Sequence, residues 1–121
     1  MRKPGTDENN VQMSDVLCDF CRREWTEDVP MVEGHHGSCI CGNCLTLAYA
    51  EVVGSGTGSA PNGYDCRMCL EGGKDREALE RGDEHGWASP LDPEACICRR
   101  CIKQAAGALV KDVGSGWKKP V

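Results

Sequence analysis

Ten cysteines stand in this chain of 121 residues, and their spacing is the feature that can do chemistry. They form two groups of five with one internal order. The first is Cys18-x2-Cys21 followed by Cys39-Ile40-Cys41-x2-Cys44, and the second is Cys66-x2-Cys69 followed by Cys96-Ile97-Cys98-x2-Cys101. A C-x2-C pair supplies two sulfurs from one tight turn whose backbone N–H groups can hydrogen-bond them. Two such pairs roughly 20 residues apart close a tetrahedral site with each sulfur ~2.3 Å from the metal. The spacing therefore predicts one site from Cys18, Cys21, Cys41 and Cys44 and a second from Cys66, Cys69, Cys98 and Cys101. Four protein ligands leave no position for water, so each site is expected to be structural and the chain non-enzymatic. Zinc is the expected ion, two per chain; iron in a rubredoxin-like site is the chemical alternative, because the ligands alone do not choose between them.

Such sites need elements to carry them. After Cys44, Leu45, Ala48, Tyr49 and Val52 fall at i, i+3, i+4 and i+7. After Cys101, Ile102, Ala105, Ala106 and Leu109 repeat that spacing, with Val113 one turn beyond. Each stretch predicts an amphipathic helix that begins within the second C-x2-C and buries this stripe. Both end in Val-Gly-Ser-Gly, which places Gly54 and Gly114 as helix-stopping glycines. The repeat of cysteines, isoleucine and helix predicts a duplicated unit. The expected organisation is a disordered tail over 1–14, a first finger over 15–54, a Gly/Ser linker over 55–63, a second finger over 64–114 and a tail over 115–121. The longer gap in the second unit contains KDREALERG, expected to form a turn or two of helix anchored by Leu79. Gly86-Trp87, Pro90 and Pro93 mark the rest as loop.

Composition agrees with metal as the staple. Only 40% of residues are apolar and fifteen are glycine, so the core must be thin, and cysteine reaches the level at which disulfides or metal take over from apolar burial. A large enzyme with a deep cavity is excluded at this length. The N-terminal MRKPGTDENNVQMSD has no apolar segment, and no stretch approaches the ~20 apolar residues of a membrane span. The expected location is cytoplasmic, where thiols stay reduced and bind metal rather than pair. The formal charge is −5; eight thiolates holding two divalent ions bring it to roughly −9, which disfavours general binding to a phosphate backbone.

Residues 18–44 resemble the four-cysteine zinc-binding domain at the N-terminus of ClpX, the unfoldase subunit of the Clp protease. The likeness rests on Cys18-Asp19-Phe20-Cys21, Asp28-Val29, Met31-Val32-Glu33-Gly34 and Ile40-Cys41-Gly42-Asn43-Cys44 leading into a helix. It implies a treble-clef finger of zinc knuckle, β-hairpin and ligand-bearing helix, in a family whose domain dimerises and docks adaptors or substrates without catalysis of its own. The second unit departs by its insertion and matches mainly at Ile97-Cys98-Arg99-Arg100-Cys101. No GxxxxGK[ST] marks an ATPase module. The fold expected is thus small, α+β and zinc-stabilised: two tandem treble-clef-like fingers packed as an intramolecular pseudo-dimer that buries Leu45, Tyr49, Ile102 and Leu109 between them.

Several residues fall outside the two quartets. Cys39 and Cys96 precede the third ligand by two positions and have three readings: small buried residues, a Cys39–Cys96 bridge, or redox-switching thiols. His35, His36 and His85 are expected as loop histidines. Arg99, Arg100 and Lys103 cluster at the start of the second helix, where they either offset the charge of a four-thiolate zinc centre or contact nucleic acid. Trp25 and Trp87 are expected to pack over the zinc loops, and all three tryptophans, Trp117 included, are candidate partner anchors if exposed. The function expected is a non-enzymatic adaptor that docks a protein partner, with self-association open. Nucleic-acid binding through Arg99, Arg100 and Lys103, or thiol-redox sensing through Cys39 and Cys96, are the alternatives.

Overall fold

A computed structural model describes residues 1–121. Its elements repeat in pairs. In the first unit, β1 (Met31–Glu33) and β2 (Cys39–Cys41) form an antiparallel hairpin, and α1 (Gly42–Tyr49) follows at once. In the second, α2 (Gly73–Ala78) precedes the antiparallel hairpin of β3 (Gly86–Ser89) and β4 (Asp92–Cys98), and α3 (Arg99–Lys111) follows. The registers match: Val32 faces Ile40 as Trp87 faces Ile97, and Glu33 faces Cys39 as Ala88 faces Cys96. The molecule is a small α+β fold built as a tandem pair.

Strand alternation explains why Ile stands between two cysteines in both units. Ile40 and Ile97 are fully buried, turned to the face opposite their flanking cysteines and into the common core. That core is continuous across the units. It joins Leu45, Ala48, Tyr49 and Val52 of the first helical stretch to Ile102, Ala105, Ala106 and Leu109 of the second, as the helical spacing predicts, whereas Val113, one turn beyond, is 94% exposed because α3 has ended. Burying each of the larger aliphatic side chains among them, Leu45, Val52, Ile102 and Leu109, contributes ~1.5–3 kcal/mol. One unit alone would leave its stripe in water; two stripes cover each other.

The joints are reciprocal. In the first knuckle the carbonyl of Phe20 accepts from the Ser89 hydroxyl at the end of β3. In the second knuckle the carbonyl of Met68, the equivalent position, accepts from the His35 N–H just beyond β1 at 2.8 Å. Trp87 of the second unit packs on Phe20 of the first, with ring centroids 5.8 Å apart. Equivalent elements that exchange equivalent contacts are the signature of a two-fold relation, so the chain is an intramolecular pseudo-dimer. At Gly34 an added Cβ would lie 2.7 Å from the Met68 carbonyl oxygen, so this joint requires glycine.

Several local expectations are corrected. The left-handed glycines after the helices are Gly56 and Gly116, both with φ 68°, rather than Gly54 and Gly114. A π-helical turn over Ala50–Gly54 prolongs the first helix, and a 3-10 turn over Val113–Ser115 follows the second, so each chain reversal falls on the second glycine of Val-Gly-Ser-Gly. In the insertion, Leu79 is 57% exposed and anchors nothing. Arg76, 2% exposed, takes that place: its guanidinium stacks 3.7 Å from the Tyr64 ring centre and donates to the carbonyls of Glu71 and Tyr64. The segment read as loop contains β3 and the first half of β4. Pro93 is accommodated near the start of β4, before the ladder becomes continuous, while Pro90 sits in the turn.

The segments outside the two expected fingers are tied to them by backbone and side-chain contacts, which composition does not report. Within 1–14, Arg2 bridges Val16 and the Lys3 N–H donates to Asp15 at 2.8 Å. In 55–63, Ala60 donates to the Gly86 carbonyl at 3.1 Å and Ser59 accepts from the Ala88 N–H at 2.9 Å, so this stretch lies against β3. In 115–121, the Trp117 indole donates to Gly42 O and Thr46 Oγ1 and meets the Tyr49 ring edge-on.

Candidate metal centres

Each centre is assembled from a knuckle and a hairpin-to-helix junction. In the knuckles the Cys18 N–H donates to Arg23 O at 3.0 Å and the Cys66 N–H to Glu71 O at 2.9 Å. The turns close through Arg22 N–H to Cys18 O and Leu70 N–H to Cys66 O, both 2.9 Å. This forces Arg22 and Leu70 into the left-handed region, at φ 65° and 67°, a conformation that costs a non-glycine residue ~1–2 kcal/mol. At the junctions Cys41 and Cys98 leave their strands with extended backbone and cap α1 and α3, so the third and fourth sulfurs of each quartet come from one helix start.

The structure brings Cys18, Cys21, Cys41 and Cys44 together, and likewise Cys66, Cys69, Cys98 and Cys101, with all four sulfurs of each group within 4.8 Å of one another. Individual separations are 3.9 Å for Cys18–Cys44, 3.7 Å for Cys21–Cys41 and 3.9 Å for Cys69–Cys98. A tetrahedron with ~2.3 Å metal–sulfur bonds has edges of about 3.8 Å. Both groups are therefore positioned to bind zinc. Backbone N–H groups point at the sulfurs as well: Phe20 and Cys41 donate to Cys18 at 3.4 and 3.3 Å, Cys44 donates to Cys41 at 3.5 Å, and Cys98 donates to Cys66 at 3.3 Å.

Electrostatics ask for a cation. Hydrogen bonds from Cys41 and Cys44, with further backbone donors, lower the Cys18 thiol to about 2. Cys66 is likewise lowered, by Cys101 and then Cys98. Their neighbours move the other way. The proton shared with Cys18, with burial adding to it, pushes Cys41 up to about 12, and Cys44 rises through its bonds to Cys18 and Cys41. Although a bond from Cys101 lowers it, Cys98 is pushed up to about 12 by Cys66 and by burial, and Cys101 rises through Cys66 and Cys98. Four thiols held this close cannot all ionise without a cation among them. A divalent ion that binds all four sulfurs as thiolates removes this conflict.

Cys39 and Cys96 stay outside both quartets. Both are free and buried. Their sulfurs lie 3.7 Å from Gly37 O and 3.5 Å from Pro93 O, and burial pushes both thiols up, away from the reactive thiolate. Their main chains carry a role that the sequence reading missed. Cys39 O accepts from the Asp19 N–H at 3.0 Å and Cys96 O from the Arg67 N–H at 2.8 Å, and each bond ties a knuckle to its strand. The matched spacing of the surplus cysteines was the available signal.

The other singled-out residues are dispersed. His35 and His36 occupy the turn between β1 and β2, and His85 precedes β3. Arg99, Arg100 and Lys103 are exposed on α3; Arg100 is ion-paired with Glu71, which also pairs with Arg81. Trp87 is buried against the first knuckle, while Trp25 lines a hollow with Met13, Val16, Met31 and Cys39. Neither a curated protein nor a solved structure matches the chain. Over residues 16–53, the unit that carries Cys18, Cys21, Cys41 and Cys44, the chain matches the family model of the ClpX C4-type zinc finger.

Proposed function

We propose that this protein is a non-enzymatic interaction module whose fold is held by two closed zinc sites, with Cys18, Cys21, Cys41 and Cys44 as ligands of one and Cys66, Cys69, Cys98 and Cys101 of the other. The observation that carries the reading is the sulfur spacing of 3.7–3.9 Å, a tetrahedral edge with no fifth group inside it. Zinc would supply folding free energy there, and the chain's own residues supply four thiolates and the N–H donors around them. A site filled by protein sulfur activates no water, and the apolar side chains left outside the core suit docking. Leu47 on α1 is 55% exposed beside a hollow shared with Trp87 and Pro90.

The partner is read as a protein, since the acidic charge opposes a phosphate backbone and Arg100 is already engaged by Glu71. No helix is long and apolar enough to cross a membrane. Native mass spectrometry is expected to give two zinc ions per chain, and affinity capture with the zinc-loaded chain to recover a protein, a Clp component being the first to examine. Capture should fall with Leu47→Glu. One ion per chain, or far-UV dichroism unchanged after exhaustive chelation, would refute the structural-zinc reading. Recovery of nucleic acid in place of protein would refute the docking role.

A further inference from the structure

Of the four asparagines in the chain, one stands where its side chain can react with its own backbone. Asparagine is among the thermolabile residues: its side-chain amide carbon is an electrophile, and the backbone nitrogen of the next residue can close a five-membered ring on it. That nitrogen must be unbonded and uncrowded. After Asn9 it is bonded, since the Asn10 N–H donates to Asp7 O at 2.9 Å. After Asn10 the β-branched Val11 crowds the approach. Asn43 is fixed in α1, and the Cys44 N–H that follows it donates to the Cys41 sulfur at 3.5 Å. Asn62 differs on each count. With Gly63 it forms the exposed tip of a turn closed by the Tyr64 N–H on Pro61 O at 3.2 Å. Gly63 has φ 76°, the left-handed third position of such a turn, and the cross-turn bond uses only the first carbonyl and the fourth N–H. The Gly63 N–H therefore has no acceptor. A Cβ at Gly63 would meet nothing within 4 Å, so this side of the turn is open to water. The opposite side is packed. A Cβ at Gly73, where α2 begins, would lie 2.5 Å from the Gly63 Cα. Tyr64, next in the chain, is buried beneath Arg76, with its hydroxyl 2.5 Å from where a Cβ would stand on Gly86.

We infer that Asn62 is a self-modifying site, which converts in water to aspartate and isoaspartate, and that the isoaspartyl form loosens the packing of Tyr64 on Arg76. The Gly63 nitrogen bonds to the Asn62 side-chain carbonyl carbon, the bond from that carbon to the amide nitrogen breaks, and the Gly63 proton leaves with the amide group as ammonia. The product is a succinimide ring. One water then opens it. Opening at the side-chain carbonyl restores the main chain and leaves a carboxylate; opening at the main-chain carbonyl leaves the chain running through the former side chain. No electrons are exchanged, and solvent supplies the only co-reactant. The second product lengthens the turn by one carbon. Gly73 and the pinned Tyr64 ring leave no slack for it on the packed side, whereas aspartate keeps the original length.

The full zinc-loaded chain is held in warm neutral buffer and sampled by peptide mapping with mass spectrometry, beside the free peptide Ala-Pro-Asn-Gly-Tyr, which copies residues 60–64. Isoaspartate is counted with protein L-isoaspartyl methyltransferase and methyl-labelled S-adenosylmethionine. The fragment that contains position 62 is expected to gain the mass of an NH2-to-OH exchange and to take up methyl label, while the fragments with Asn9, Asn10 and Asn43 stay unchanged. Asn62→Gln should abolish both signals, because its longer side chain disfavours the ring closure. The isoaspartyl fraction, separated by ion exchange, should melt at a lower temperature than Asn62→Asp, which carries the same charge on a chain of normal length. An unchanged position 62 in buffer that converts the free peptide, or equal conversion at the other three asparagines, would overturn the inference. So would an isoaspartyl fraction that melts together with Asn62→Asp.

Discussion

The two units of this chain are an internal control for what a four-cysteine finger requires. The first spans 19 residues between Cys21 and Cys41, and the second spans 28 between Cys69 and Cys98. Despite that difference, Cys41 donates to Cys18 at the same 3.3 Å as Cys98 to Cys66, and Arg22 and Leu70 adopt the same left-handed turn. The sulfur geometry is set by the knuckle, the strand end and the helix start, so the chain between them is free to vary. The second unit uses that freedom for α2, with buried Arg76 on Tyr64 and the Glu71–Arg81–Arg100 collar. The first unit is left with a short hairpin.

Removing one central ligand from either unit should have the largest effect. Cys66→Ala is expected to lose the second zinc and, because the core is shared, to abolish the folded state of both units. The comparable metal contribution is on the order of 10 kcal/mol. A proton–nitrogen correlation spectrum that kept the first unit's dispersed signals would show the units to be independent.

Core truncation comes next. Leu45→Ala and Ile102→Ala occupy equivalent positions, and each should cost about 2–5 kcal/mol in denaturant unfolding of the zinc-loaded protein. Similar losses with one transition are expected. Two separate transitions would mean that the stripes do not stabilise each other.

The reciprocal joints offer a finer test. Gly34→Ala places a methyl 2.7 Å from the Met68 carbonyl oxygen and should cost about 1–3 kcal/mol, read as a lower melting temperature. Ser89→Ala at the equivalent position only deletes the hydrogen bond to Phe20 and should cost about 1 kcal/mol.

The smallest effect should have the opposite sign. Leu70→Gly relieves a left-handed leucine at φ 67° that is already 48% exposed. A net gain of up to about 1 kcal/mol in denaturant midpoint is expected once the glycine's greater freedom in the unfolded chain is subtracted. Arg22→Gly should gain less, since it also gives up the ion pair with Asp92.

Much of this was legible from one property of the chain: cysteines repeat at spacings that few geometries satisfy. The C-x2-C pairs predicted which sulfurs would meet, and the helical stripes predicted which faces of Leu45 and Ile102 would be buried. Three features were not legible. Arg76 reads as an exposed helix cation, because nothing local shows that Tyr64 and two backbone carbonyls will enclose it. Gly54 and Gly114 match the expected stop, yet the reversal falls on Gly56 and Gly116 because an irregular turn extends each helix end. The pairing of Arg2 with Val16 and of Ala60 with Gly86 uses main-chain groups that every residue carries.

The metal chemistry and the duplication follow from residue order alone, since tetrahedral ligation constrains residue type and spacing within a few positions of each cysteine. How the two copies face each other, and which carbonyls join Phe20 to Ser89 and Met68 to His35, emerge only with the fold. Those outcomes depend on contacts between residues far apart in the chain, whose partners are selected by packing and charge after the zinc-bearing turns are in place.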